Sequence, residues 1–320
     1  MKTKHLVAGL LTAAALTACN HRELCYDHSH GVEIDISFDW SMAPDATPRT
    51  MVVYFFPREG GEPLRYETVN TTGITTVRLT AGSYDAVAFN GDTETLREKG
   101  STFADFVITT DDEDMLAPMG RVAPTDVPPR AEGTEDEPVK TAPETLWAAA
   151  AEGGVIFVAA RAGQSVEFTP VEATDRYHIT FNNVKNLGRA ASYSATLTSL
   201  SEHFSPGLMD HGGRRVTVPI ALTARDDNSL HGDIETFGHC PGGSGNDHPA
   251  RHILTVYTSD RKYYTFDVTD QLHNAANPHE INISIDGLEF PDPPKPDQPG
   301  GMSPTVNDWE ETIIYDLDMN

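Results

Sequence analysis

Three cysteines in 320 residues are too few for a disulfide framework, so the fold must be held by a packed core. Basic residues are scarce as well. Twenty-three Lys and Arg face 48 Asp and Glu, for a net charge of −25. A surface that negative repels nucleic acid and anionic lipid headgroups, and we expect neither as a direct partner. Beyond the first 18 residues no apolar run is long enough to cross a bilayer as a helix. Long amphipathic helical patterns are missing too, which argues against an α/β enzyme built on crossover helices. There is no Gly-x-Ser-x-Gly elbow and no phosphate-binding loop. Only three tryptophans are present, so a platform of stacked surface aromatics for sugars would be sparse.

The N-terminus carries the sharpest local signal. Lys2, Lys4 and His5 precede an apolar run from Leu6 to Leu16, the layout of an export signal. Leu16-Thr17-Ala18-Cys19 follows, and this pattern resembles the bacterial lipobox, in which the cysteine becomes the acylated N-terminus. Residues 1–18 are therefore expected to be a lipoprotein signal peptide, Cys19 the lipidation site and 19–31 a polar tether. Several acyl chains on one residue anchor stably, at ~0.8 kcal/mol per buried methylene. The expected location is the outer membrane, lipid-anchored, facing either the periplasm or the cell surface. Cys25 and Cys240 either pair or remain free thiols.

From Val32 the pattern turns to strands. Val32, Ile34, Ile36, Phe38 and Trp40 alternate with Glu33, Asp35, Ser37 and Asp39, the signature of a sheet with one buried face. Met51 to Phe56 is a continuous apolar run fit for a core strand, closed by Pro57. Strands are expected at 64–69, 74–79, 85–89 and 103–110. Residues 111–145 carry acidic clusters and prolines and read as a long excursion from the sheet. Thr145 to Ala151 suits one helical turn. Further strands are expected at 155–160, 165–168, 176–181, 191–200, 215–222, 230–237, 252–259, 262–268 and 280–285. His203 to Gly213 reads as a loop, Thr269 to Ala276 as a short helix, and Pro219 as an edge marker. Residues 291–304 form a Pro/Gly-rich linker, and 307–320 offer one last strand. Many short strands at this spacing predict an all-β protein of sandwiches.

Several of these stretches resemble a known group. They are His21 to Trp40, Met51-Val52-Val53-Tyr54-Phe55-Phe56-Pro57, Val77 to Tyr84 running on to Phe89-Asn90-Gly91-Asp92, and Phe266 to Leu272 with Ile281 to Phe290. Together they are similar to the fimbrillin-like lipoproteins of Bacteroidales, which include minor-fimbrium anchoring subunits. The resemblance implies two tandem transthyretin-like (Greek-key) β-sandwich domains, at 32–169 and 170–290. It also implies a non-enzymatic anchor or accessory subunit of a surface fimbrium, with other fimbrial subunits as partners through β-strand addition and the membrane reached through the N-terminal lipid. Shaft subunits of that group lose an N-terminal strand to a protease. Arg49, in a Pro-rich loop after the first strand, is the candidate cleavage site here. The alternative reading is a surface glycan-binding lipoprotein.

Other polar clusters carry less. His28 and His30 lie in the tether, and His239, Cys240, His248 and His252 surround a Gly-rich loop without fixed zinc geometry. Asp111 to Asp114 and Glu135 to Glu137 lack the Asp-x-Asp-x-Asp-Gly spacing of a calcium loop and read as solvated charge. Neither a metal, a cofactor nor a catalytic residue is expected.

Overall fold

A computed structural model describes residues 31–120, 127–151, 156–158, 163–189, 192–240, 250–290 and 310–315. The chain is nearly all β, and its sheets are arranged as two facing pairs. The first pair begins with β1 (Gly31–Phe38), β2 (Met51–Pro57), β3 (Leu64–Thr68), β4 (Gly73–Thr80) and β5 (Gly82–Asn90). It is completed by β8 (Trp147–Ala150), β9 (Ile156–Val158), β10 (Gln164–Phe168) and β11 (Val171–Glu172). One sheet runs β10-β1-β4, and the other runs β11-β8-β5-β2-β3, with β9 also on β5. Ile34, Ile36 and Phe38 of β1 meet Met51, Val53 and Phe55 of β2 in the core between them.

The second pair holds β12 (Asp175–Asn182), β13 (Tyr193–Ser205), β14 (Asp210–Ala221), β15 (Thr223–Ala224) and β16 (Leu230–Thr236). It continues with β17 (Ile253–Thr258), β18 (Lys262–Asp267), a short helix α1 (Thr269–His273), β19 (Glu280–Asp286) and β20 (Glu310–Tyr315). One sheet runs β15-β16-β12-β19. In the other, β20-β18-β17-β13 continues into β7 (Val107–Thr110) and β6 (Leu96–Lys99), with β14 on the far side of β13. Tyr177, Ile179 and Phe181 of β12 and Ile281, Ile283 and Ile285 of β19 fill this second core. The two pairs share a topological feature. In each, the first strand lies parallel to a late one, β1 with β10 and β12 with β19.

The apolar run at Met51–Phe56 now has its reason. Its odd residues face the first core, and Val52, Tyr54 and Phe56 face a junction core with Phe106, Ile108, Phe204 and Phe237. Both faces of β2 are buried, so alternation is lost, as for any strand covered on two sides.

Strand pairing crosses residue 169. The β6–β7 hairpin, which contains part of the strand expected at 103–110, pairs through β7 with β13 of the second sheet pair. β11 pairs with β8 of the first. Thr145 to Ala151 forms no helical turn. Trp147–Ala150 is strand β8, and Ala148, Ala149 and Ala150 pair with Phe89, Ala88 and Val87. His203 to Gly213 is no open loop either, because β13 runs to Ser205 and returns as β14 from Asp210. The described part of the 111–145 excursion docks rather than floats. Met115, Leu116 and Val139 pack on Tyr257, and Lys140 N donates to Thr217 O at 2.9 Å while Thr217 N donates to Pro138 O at 2.9 Å. Residues 138–140 thereby cover the outer edge of β14, the strand that carries Pro219.

Candidate functional site

The site that sequence reasoning puts first is the junction of leader and body. Cys19, Cys25, His28, His30 and the rest of the tether lie outside the described residues. The first described strand is β1, the middle strand of its sheet. It pairs in parallel with β10 from Ile34–Gln164 to Phe38–Phe168. On its other edge it pairs antiparallel with β4 from Gly31–Thr80 to Ser37–Gly73, with an irregularity between Ile34 and Ile36. Ile34, Ile36 and Phe38 point inward and are buried, whereas Glu33, Asp35 and Ser37 are exposed. The strand is sealed at its end. Asp39 N donates to Phe168 O at 2.8 Å, Phe38 N to Thr72 O at 3.1 Å and Trp40 Nε1 to Thr71 O at 2.7 Å.

Removing β1 would part β4 from β10 and uncover the first core along a groove one strand wide. An incoming segment with the same alternation would find both edges ready, since unpaired strand edges offer N–H and C=O groups in register.

Arg49 follows in the loop between β1 and β2. Its side chain is 87% exposed. Its backbone N donates to Asp92 Oδ2 at 2.9 Å, and its Nε lies 3.4 Å from the same oxygen. The guanidinium is reachable while the backbone is tied at one point.

Three of the other polar residues singled out in the sequence converge on an unforeseen feature, a bulge in β13. The pairing of β13 with β14 shifts register between Leu197 and Leu200, and Ser199 has φ +61°, a left-handed conformation unusual outside glycine. The bulge takes Ser199 N–H out of the ladder. Glu137, from the excursion, receives it at 3.0 Å and also accepts from Ser199 Oγ at 3.0 Å and Thr217 Oγ1 at 2.9 Å. Cys240 N donates to Ser199 O at 3.1 Å, and His252 Nδ1 lies 3.1 Å from Thr198 O. Thus Glu137, Cys240 and His252 clamp one backbone irregularity.

His252 is fully buried, and its Nε2 lies 3.0 Å from Nε2 of His273 in α1. His239 stacks on His273 with ring centres 5.4 Å apart, and its Nδ1 lies 2.8 Å from the Tyr177 hydroxyl. Burial, reinforced by the neighbouring imidazoles, pulls both His239 and His252 down to about 4, so both rings are neutral at pH 7. Sequence separation hid His273 from this group. His248 lies outside the described residues. Among the described residues Cys240 forms no bridge, and burial first of all pushes its thiol up, away from the thiolate.

Several members of the acidic clusters have partners of their own. Asp111 pairs with Arg97 at 2.6 Å and Asp112 with the buried Lys140 at 2.7 Å, and Glu135 accepts from Gly133 N at 3.1 Å. Among the described residues no group of three or more His, Cys, Asp or Glu is placed to hold a metal ion.

Three solved structures are similar to the chain. An adhesin candidate from Bacteroides ovatus superposes with a TM-score of 0.62 at 18% identity, covering 88% of this chain and 99% of its own. A second adhesin candidate from Bacteroides ovatus gives 0.50 at 10% identity, with 79% and 89% covered. The fimbrial anchor protein Mfa2 from Porphyromonas gingivalis gives 0.48 at 12% identity, with 80% and 90% covered. At such identities the first two establish the fold. No curated protein matches the chain. A family model does match, over residues 18–221, and the chain belongs to that family, described as a domain of unknown function (DUF5119).

Proposed function

We propose that the protein is a non-enzymatic cell-envelope lipoprotein, acylated at Cys19, that serves as an anchor or accessory subunit of a surface fimbrium. One observation carries this reading. The strand that follows the lipobox leader is the centre of a sheet, with three buried apolar side chains and paired edges on both sides. Load on the body passes through the hydrogen bonds of β1 to the tether and the lipid. The same strand is the one whose departure would open a groove for strand addition. Cleavage after Arg49 would cut the covalent path and leave β1 held by pairing alone, which is the step that separates an anchor from a processed subunit. The description of two proteins of this fold as adhesin candidates agrees with the reading.

The test is recovery of the protein from native envelopes with its neighbours. Gentle solubilisation and affinity capture should bring down fimbrial subunits, and a Cys19→Ala variant should leave the membrane fraction while remaining folded. Capture without any fimbrial subunit would contradict the fimbrial role. A Cys19→Ala chain that still pellets with membranes would contradict the anchor.

A further inference from the structure

Where the two sheet pairs meet, a cavity of about 550 Å³ opens beside the start of β12, the β13–β14 turn and the end of β16. Its size falls in the range of small-ligand sites, and it joins apolar walls to a few convergent polar groups. Phe204 and Phe237 supply apolar wall, and Asp175, His211, His239 and His279 supply the polar groups.

The three imidazoles are held alike. His211 Nδ1 lies 2.8 Å from Ser201 Oγ, His239 Nδ1 2.8 Å from the Tyr177 hydroxyl and His279 Nδ1 2.6 Å from Asp175 Oδ1. Each ring is fixed through one nitrogen, and the other nitrogen of each has no partner among the described residues. Asp175 is 15% exposed at its side chain, and burial pushes its carboxyl up even with His279 beside it.

Gly238 lies against two of these groups. It has φ +93°, and the point a Cβ on it would occupy is 3.1 Å from Asp175 Oδ2 and 3.2 Å from His211 Nε2, so those two polar atoms lie no more than about 6.3 Å apart. One ligand atom lying between them in the cavity would hydrogen-bond to both. A carboxylate accepts from such an atom, and an imidazole either donates or accepts according to its tautomer. That pairing suits a hydroxyl.

Charge narrows the choice. Asp175 and Glu172 at the rim, on a chain of net charge −25, disfavour an anion. Both carboxylates already have partners, Asp175 in His279 Nδ1 at 2.6 Å and Glu172 in Arg176 at 3.3 Å, so the site does not call for a cation. An uncharged polyhydroxylated ring with an apolar face meets both the polar groups and the phenylalanine wall. We propose that this cavity binds a neutral saccharide, one hydroxyl of which sits beside Gly238 between Asp175 and His211. The site is independent of the fimbrial reading.

The test uses the full mature chain. A glycan array of neutral saccharides is followed by titration calorimetry of the hits, with N-acetylneuraminic acid and arginine amide as charged probes. A neutral saccharide should bind, and His211→Ala and Asp175→Asn should each weaken it by about tenfold or more, the loss of one good hydrogen bond. Ser37→Ala, on the far surface of β1, should leave binding unchanged. Thermal melts of each variant without ligand establish that it is folded, and His211→Ala decides if Asp175→Asn is not. Absence of binding by every neutral saccharide on the array overturns the proposal. So does stronger binding of either charged probe, or saccharide binding that folded His211→Ala leaves intact.

Discussion

Glu137 offers the sharpest check on how the excursion is joined to the sheet. It is 8% exposed and accepts three hydrogen bonds at 2.9–3.0 Å, from Ser199 N, Ser199 Oγ and Thr217 Oγ1. Hydrogen bonds to a charged group contribute ~1.5–3 kcal/mol each, and those sharing one acceptor do not add fully. Glu137→Ala would also leave the Ser199 amide buried and unpaired in a left-handed residue. We therefore expect a local loss of about 3–5 kcal/mol. The chain has two cores, and one global unfolding free energy would blur a local effect. Hydrogen exchange of peptides covering 194–205 and 127–140 reads it directly. Exchange there should accelerate by about a hundredfold or more in Glu137→Ala, because each ~1.4 kcal/mol is tenfold. Glu137→Gln keeps one acceptor oxygen and should lose about half as much in free energy. Peptides in β1 to β5 should not change. Protection at 194–205 unchanged within about twofold in Glu137→Ala would refute the clamp.

Three further outcomes follow from the same geometry. Ile36→Ala should destabilise the first sheet pair by about 2–5 kcal/mol in urea unfolding, while Ser37→Ala should cost less than ~0.5 kcal/mol, and equal effects would show that β1 does not pack as described. Stability should fall as pH drops from about 6.5 to about 4, because the unfolded chain takes protons that buried His239 and His252 refuse until about 4. For His252 alone the loss reaches up to ~3 kcal/mol, and a Tm series over that range should flatten in His252→Gln. Arg49→Ala should abolish trypsin cleavage at 49 and alter stability by no more than ~1 kcal/mol, since its exposed pair with Asp92 contributes little; digestion followed by mass spectrometry settles the first point and a thermal melt the second.

The strand content was legible because burial on one face writes itself into alternation, as in Val32 to Phe38. Met51 to Phe56 announced a core strand, although only the junction core explains why its even residues are apolar too. The misses have physical causes. Leu96-Arg97-Glu98-Lys99 is an edge strand whose Arg97, Glu98 and Lys99 are all exposed, so no apolar pattern betrays β6. Trp147 to Ala150 is alanine-rich and favours helix intrinsically, but the ladder with β5 overrides that preference. Glu137 reads from sequence as solvated charge, and Cys240 and His252 as the borders of a polar loop. They meet because β13 bulges at Ser199, and no local signal in Leu197-Thr198-Ser199-Leu200 foretells a non-glycine residue at positive φ. The histidines of the cavity come from three separate segments, and only the closed topology brings 211, 239 and 279 to one wall.

The most direct measurement of the central claim is electron microscopy of fimbriae on cells that lack this chain. A lipid-anchored fimbrial subunit predicts fimbriae that are shed or altered in length, restored by the wild-type chain and not by Cys19→Ala. Fimbriae unchanged in number, length and attachment in the deletion strain would contradict it.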